Sequence, residues 1–197
     1  MSNLQVLFKE PIYIVDNILS EQHTQLHNTC MQISKKYDNY ADKWNPGTSF
    51  VSISEGIQPH KDERFDDVTK TMFNHGLKFM DELGFGIHQK NKLFVTRSWF
   101  NISYQQDYLE RHVHPQTLFS TVYYVETALE DRLLFVRNAY EMMDRPTDMN
   151  EWSETVRYFD CLPKRLLIFK GNIMHGVNKQ IGGIRNVIVY NFAIKNS

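Results

Sequence analysis

At 197 residues the chain is the size of one domain, and a composition 42% hydrophobic and 13% aromatic is enough to build a core, which excludes an intrinsically disordered chain. Lys plus Arg number 22 against 23 Asp plus Glu, so a formal net charge of -1 gives no general electrostatic reason to bind nucleic acid or an anionic membrane. Two distant cysteines, Cys30 and Cys161, exclude a cysteine metal cluster and a disulfide scaffold; both are expected reduced, as in a cytoplasm.

The first residues carry no basic region followed by an apolar run, so no secretory leader is expected. No stretch reaches the ~20 apolar residues that cross a bilayer. In chain order, residues 6–15, with Pro11 among them, read as an edge strand or two short strands. Ser20 is placed to cap a helix running to about Lys36, with Leu26, Cys30 and Ile33 on its apolar face. Asn45-Pro46-Gly47 signals a turn. Phe65, Val68, Met72, Phe73, Leu77, Met80 and Leu83 recur at helical spacing over 62–83, and Gly84 closes that helix.

The character then changes. Runs rich in β-formers occupy 93–102, 118–126, 133–136, 155–161, 165–169 and 185–194. Helices first and then a series of strands predict a mostly β chain with N-terminal helices (α+β), a sandwich or barrel of the jelly-roll kind. The chain is expected to be one domain over 1–197, its helical half (about 16–90) supporting a β core (about 93–196). Residues 138–150 read as a long loop, a candidate lid.

Of eight histidines, five lie in the helical half. His23 and His27 share a helix face without a third ligand nearby, and His60, His75 and His88 stand alone; all five are expected to be surface or interhelix residues. His112-Val113-His114 differs. In an extended strand residues i and i+2 face one way with Cα atoms ~6.6 Å apart, so two imidazoles can converge on one ion. By itself a His-x-His pair is a core feature or a zinc site as readily as anything else. It gains meaning from His175, just past the 165–169 strand and a Lys170-Gly171-Asn172 turn, and from Arg185 ten residues later. A planar guanidinium near a metal suits a dicarboxylate, which it binds bidentately.

Trp99-Phe100-Asn101, the run Glu110-Arg111-His112-Val113-His114-Pro115, Thr121-Val122-Tyr123-Tyr124-Val125, and Leu167-Ile168-Phe169 before His175, with Arg185 and Asn191-Phe192, carry a family resemblance. The arrangement resembles the 2-oxoglutarate/Fe(II) oxygenases, and within them a His-x-His-Pro branch of marine bacteria and their phages. It covers residues 93–192. The resemblance implies a double-stranded β-helix with helices packed on one side. It implies Fe(II), 2-oxoglutarate and O₂, and a hydroxylase that releases succinate and CO₂, in the cytoplasm of a bacterium or a phage-infected cell. His112 and His175 match the family's metal ligands, and Arg185 matches the partner of the cosubstrate's C5 carboxylate. Tyr104 and Tyr123 are candidates to hydrogen-bond the cosubstrate.

One position departs from the family pattern. His114 stands where that pattern has a carboxylate, and the common iron site is two His and one carboxylate. Three neutral imidazoles leave the site one unit more positive. Glu110 shares parity with His112 and His114 in an extended segment, so it is a possible direct ligand or hydrogen-bond partner. His112, His114 and His175 are taken as the ligands. Two other readings stand: a three-His dioxygenase of the cupin kind that needs no 2-oxoglutarate, and a non-catalytic jelly roll that binds a ligand or partner. The substrate and the oligomeric state are not readable.

Overall fold

The structure is a computed structural model that describes residues 9–37, 49–137, 147 and 154–195. The Asn45-Pro46-Gly47 turn and all of the 138–150 loop except Thr147 lie outside the described residues. In chain order it comprises β1 (Ile12–Val15), α1 (His23–Ser34), β2 (Phe50–Val51), three 3₁₀ turns between Ser52 and Phe65, α2 (Asp66–Glu82) and α3 (Ile87–Lys90). There follow β3 (Leu93–Ser103), β4 (Leu109–His112), β5 (Phe119–Glu126), β6 (Arg132–Val136), β7 (Val156–Asp160), β8 (Leu166–Lys170), β9 (Met174–Val177) and β10 (Arg185–Ile194).

The strands form two sheets in which every pairing is antiparallel. The larger has the order β1-β8-β5-β10-β3-β2 and the smaller β4-β9-β6-β7. This is the expected jelly-roll arrangement, with the helices on one side. The larger sheet is covered twice. Phe100, Ile102, Phe119, Tyr123, Leu166, Ile188, Tyr190 and Phe192 pack with Leu26, Cys30, Val68, Met72 and Phe79 of the helices. Val122, Tyr124, Leu167, Phe169, Val187 and Val189 pack with Leu133, Phe135 and Val177 of the smaller sheet. A strand covered on both faces must be apolar at nearly every position, which is why β5 and β10 read as near-continuous apolar runs.

Local chemistry sets the element ends. α1 starts at His23, later than expected, because the Ser20 hydroxyl bonds the Asn17 carbonyl and caps nothing. α2 ends before Gly84 as expected but starts at Asp66 rather than at 62, because Glu63–Phe65 form a 3₁₀ turn capped by the Asp62 side chain. No helix among the described residues is long and apolar enough to cross a membrane.

The helix layer meets the sheet at Phe119, which is fully buried between Phe79 (5.6 Å, edge-on) and Phe192 (4.9 Å, stacked), beneath Gly76 of α2. Phe119→Ala therefore leaves a cavity at the joint, and the expected loss is about 3–5 kcal/mol of unfolding free energy. Urea denaturation measures it; a change below about 1 kcal/mol would show that this joint is not a principal source of stability.

Candidate metal centre

β4 and β9 carry the site on the smaller sheet. Their pairing sets His112 directly across from His175, but Leu109 pairs with Val177, so β4 holds one residue more than β9 between those two points. The extra residue is a β-bulge. It lets both Leu109 and His112 face inward, and it leaves Glu110 and Arg111 exposed. Gly176 makes room for it: a Cβ there would lie 2.9 Å from the Leu109 carbonyl oxygen and 3.3 Å from the Arg111 backbone.

His114 lies just beyond the end of β4, in a turn pinned by its own N–H donating to the Gly171 carbonyl at 2.8 Å. The three imidazoles converge. One ring nitrogen of each lies within 4.8 Å of the others. The His114 and His175 Nε2 atoms are 3.0 Å apart. Two nitrogens each ~2.1 Å from one ion, at a right angle, are separated by about 3.0 Å, so this spacing fits a first-row divalent metal.

The remaining ring nitrogens are anchored. His112 Nδ1 lies 2.8 Å from the Glu110 carbonyl oxygen and His175 Nδ1 2.8 Å from that of Ile173. Each donates there and turns a bare Nε2 inward, as ligand histidines do. His114 Nδ1 lies 3.0 Å from the amide nitrogen of Asn191. Ring packing fixes the orientations: Trp99 stacks on His114 at 5.7 Å, and Phe169 meets His175 edge-on at 4.6 Å.

Burial holds the two inner imidazoles neutral. His114 is pushed down to about 3, by burial first and then by His175 and His112. His175 is pushed down to about 4, by burial first and then by His112.

Arg185 opens β10 and is buried at 4% exposure. It shares its face of the strand with Val187, Val189 and Asn191, so it points between the sheets, as the histidines do. Its guanidinium donates to Asp131 at 3.4 Å and to the Ser103 hydroxyl at 3.3 Å. These two long bonds use two of five N–H donors, which leaves the fork able to take a carboxylate. Ser103 continues the polar chain to Ser49, and Ser49 donates to Asp107 at 3.0 Å. Burial pushes the Asp131 carboxyl up, against the opposing pull of Arg185, and its Oδ2 has no partner.

Three expected site residues fall elsewhere. Tyr123 faces the helices, its hydroxyl donating to the Ile18 carbonyl at 3.3 Å and lying 3.3 Å from His23 Nδ1. The neighbouring Tyr124 is the one between the sheets. Tyr104 packs half-buried against the helix-side core. Glu110 is turned out by the bulge and does not join the cluster. Four of the five helical-half histidines have partners in place. His27 is 3.1 Å from Glu126, His60 is 2.7 Å from Ser98 and His75 is 3.1 Å from Tyr13, alongside the His23 contact above; His88 is exposed. Both cysteines are free and buried. Asn191 was not expected at the site; its parity with Arg185 along β10 is the signal that points to it.

The depressed imidazoles make a pH prediction for the metal-free protein. The unfolded chain takes up these protons below about 6.5 and the folded chain does not, so stability falls as pH drops from about 6.5 towards 4. At pH 5 the loss is roughly 1–2 kcal/mol per buried histidine. His175→Leu should show a smaller difference between pH 7 and pH 5 in chemical denaturation of chelator-treated protein. An equal loss in both proteins would refute it.

Comparison with known proteins agrees with this geometry. Residues 97–191 match the family described as "Putative 2OG-Fe(II) oxygenase". No curated protein matches the sequence. Among solved structures, a prolyl-4-hydroxylase of Pseudomonas putida is 14% identical with a TM-score of 0.66, over 95% of this chain and 94% of that one. HygX of Streptomyces hygroscopicus, with nickel and 2-oxoglutarate bound, is 8% identical with a TM-score of 0.64, over 94% and 84%. The viral collagen prolyl hydroxylase of Paramecium Bursaria Chlorella virus-1 is 12% identical with a TM-score of 0.58, over 93% and 96%. At such identities these likenesses speak for the fold. The matched segment contains all three converging imidazoles and Arg185, and it is similar to the family described as "Putative 2OG-Fe(II) oxygenase".

Proposed function

We propose that this chain is an Fe(II)- and 2-oxoglutarate-dependent oxygenase that hydroxylates a substrate C–H bond. One observation carries the reading: three imidazoles placed for one ion, in a chain that also buries a guanidinium with donors to spare. His112, His114 and His175 would hold the iron, and Arg185 would hold the far carboxylate of 2-oxoglutarate. Bound there, iron with 2-oxoglutarate and O₂ supplies the oxidising power, and 2-oxoglutarate leaves as succinate and CO₂.

The chain's own part is placement and dryness. The Glu110 and Ile173 carbonyls fix two rings in the ligating tautomer. Val187, Val189, Phe135, Phe169 and Val177 pack together between the two sheets as a buried apolar cluster, which keeps bulk water from that layer and strengthens charge interactions beside it. Trp99 forms a side wall at His114. Finer assignments belong to the same reading: the His-x-His-Pro branch, a cytoplasmic setting, one domain with the helices as a platform, and no general nucleic-acid or membrane partner.

Succinate formation from 2-oxoglutarate without added substrate should depend on Fe(II) and O₂ and should vanish in His175→Ala. Its absence from the wild-type protein under those conditions would overturn the assignment. Arg185→Lys replaces a fork with a point charge. It should raise KM for 2-oxoglutarate by about tenfold or more, the worth of one charge-assisted hydrogen bond, with less effect on kcat. An unchanged KM would remove Arg185 from that role.

The three-imidazole ligand set favours one second reading, a three-His dioxygenase that needs no 2-oxoglutarate. Adding 2-oxoglutarate anaerobically to the Fe(II) protein separates the two. A new charge-transfer band supports the first; no band and no tightening of metal binding support the second.

A further inference from the structure

His114 is held differently from the other two histidines. Where His112 and His175 give Nδ1–H to carbonyl oxygens, His114 Nδ1 faces the side-chain amide nitrogen of Asn191 at 3.0 Å. In this orientation the amide is supported by Ser120, whose buried hydroxyl donates to Asn191 Oδ1 at 2.7 Å. Asn191 itself is 5% exposed, and its backbone carbonyl accepts from the Thr96 hydroxyl at 3.1 Å, at the bulge between Asn191 and Phe192. An amide nitrogen only donates. His114 Nδ1 is therefore the acceptor, and the proton of the neutral ring sits on Nε2. The 3.0 Å contact between the His114 and His175 Nε2 atoms is then a hydrogen bond from His114 to the bare Nε2 of His175. In this arrangement His114 cannot ligate, because its inward nitrogen is protonated.

We propose that Asn191, oriented by Ser120, is a positioning residue that selects the tautomer of His114 and so decides whether it serves as the third ligand. To ligate, His114 must carry its proton on Nδ1. The amide must then turn over, giving Oδ1 to Nδ1–H and its nitrogen to the Ser120 oxygen, a change that Ser120 permits because a hydroxyl both donates and accepts. The proton moves from Nε2 to Nδ1 through solvent, and no other bond is made or broken. The site thus has two hydrogen-bonded states: one with two bare imidazole nitrogens and a His–His bond, and one with three bare nitrogens turned inward. This inference rests on the metal-centre reading above.

Two substitutions bias the switch. Asn191→Asp puts an acceptor against Nδ1 and locks the ligating tautomer. Ser120→Ala releases the amide so that it can turn freely. Nitrogen-15 NMR of histidine-labelled, metal-free protein reads the tautomer directly. The expected result is a proton on His114 Nε2 in the wild type and on Nδ1 in Asn191→Asp, with Ser120→Ala shifted towards Nδ1.

Anaerobic titration with Co(II) reads the consequence. Asn191→Asp should bind about tenfold or more tightly and Ser120→Ala at least as tightly as wild type. Asn191→Leu, which offers neither donor nor acceptor, should bind about 10–100-fold more weakly, the usual effect of losing a ligand's hydrogen-bond partner. Wild-type protein that takes up no Co(II) would overturn the metal centre and this inference together. Wild-type binding with an unchanged His114 tautomer in Asn191→Asp would overturn the switch alone. Weaker binding in Ser120→Ala would also overturn it, since that is what a merely structural contact predicts.

Discussion

The site depends on one cross-strand register, His112 opposite His175, maintained across a bulge. An antiparallel ladder normally keeps facing side chains in step every second residue. Here Leu109 and His112, three apart, both face the core, which requires one unpaired residue between them. Gly176 admits that residue because no Cβ occupies the gap beneath it. A one-residue slip would send His112 to solvent with Glu110 and Arg111. The chemistry of the site therefore rests on a local irregularity of the backbone that the pairing of β6 with β9 holds in place.

The two ends of the inter-sheet space have opposite electrostatic character. At the metal end the imidazoles of His114 and His175 are neutral because burial makes their protonation costly. At the other end Arg185 is charged and is compensated by Asp131, with Ser103 and Ser49 carrying the polar chain on to Asp107. A buried cation without a counter-charge would be strongly unfavourable, so Asp131 makes the resting state tolerable. An incoming carboxylate must share Arg185 with Asp131. The three-imidazole centre lacks the negative charge that a carboxylate ligand supplies, so the cosubstrate's own anionic groups compensate a larger share of the metal's charge.

Much of the fold was legible because burial wrote it into the pattern. α2 shows helical spacing and stops before Gly84, and the long strands β3 and β10 are dense in β-formers. β4 and β9 escaped because each is four residues long, β4 with three polar residues and β9 with a histidine and a glycine, and each is held by pairing rather than propensity. The three histidines and Arg185 were readable from spacing; the structure draws the three imidazoles together and buries Arg185 against Asp131 and Ser103. Their tuning was not. The parity that joined Glu110 to His112 assumes a regular strand, and the bulge breaks it. Tyr123 was misplaced for a different reason. β5 is buried on both faces, so its sequence carries no alternation to say which of Tyr123 and Tyr124 looks inward. Asn191 lies in the same kind of strand, but the polar residues Arg185 and Asn191 at the two ends of one parity mark that face.

The ligands are divided between the sheets. His112 and His175 belong to the smaller sheet, four short strands with exposed edges. His114 is in a turn and is tethered through Asn191 and Ser120 to the two central strands of the larger sheet. An ion bound by all three would act as a clasp between the layers, adding bonds where the described residues otherwise offer mainly apolar contact. A metal held by His112 and His175 alone would leave the larger sheet outside its coordination sphere. The hydrogen-bonding state of one buried amide thus bears on more than coordination number. It sets whether metal binding stiffens one small sheet or fastens that sheet to the scaffold on which the helices rest.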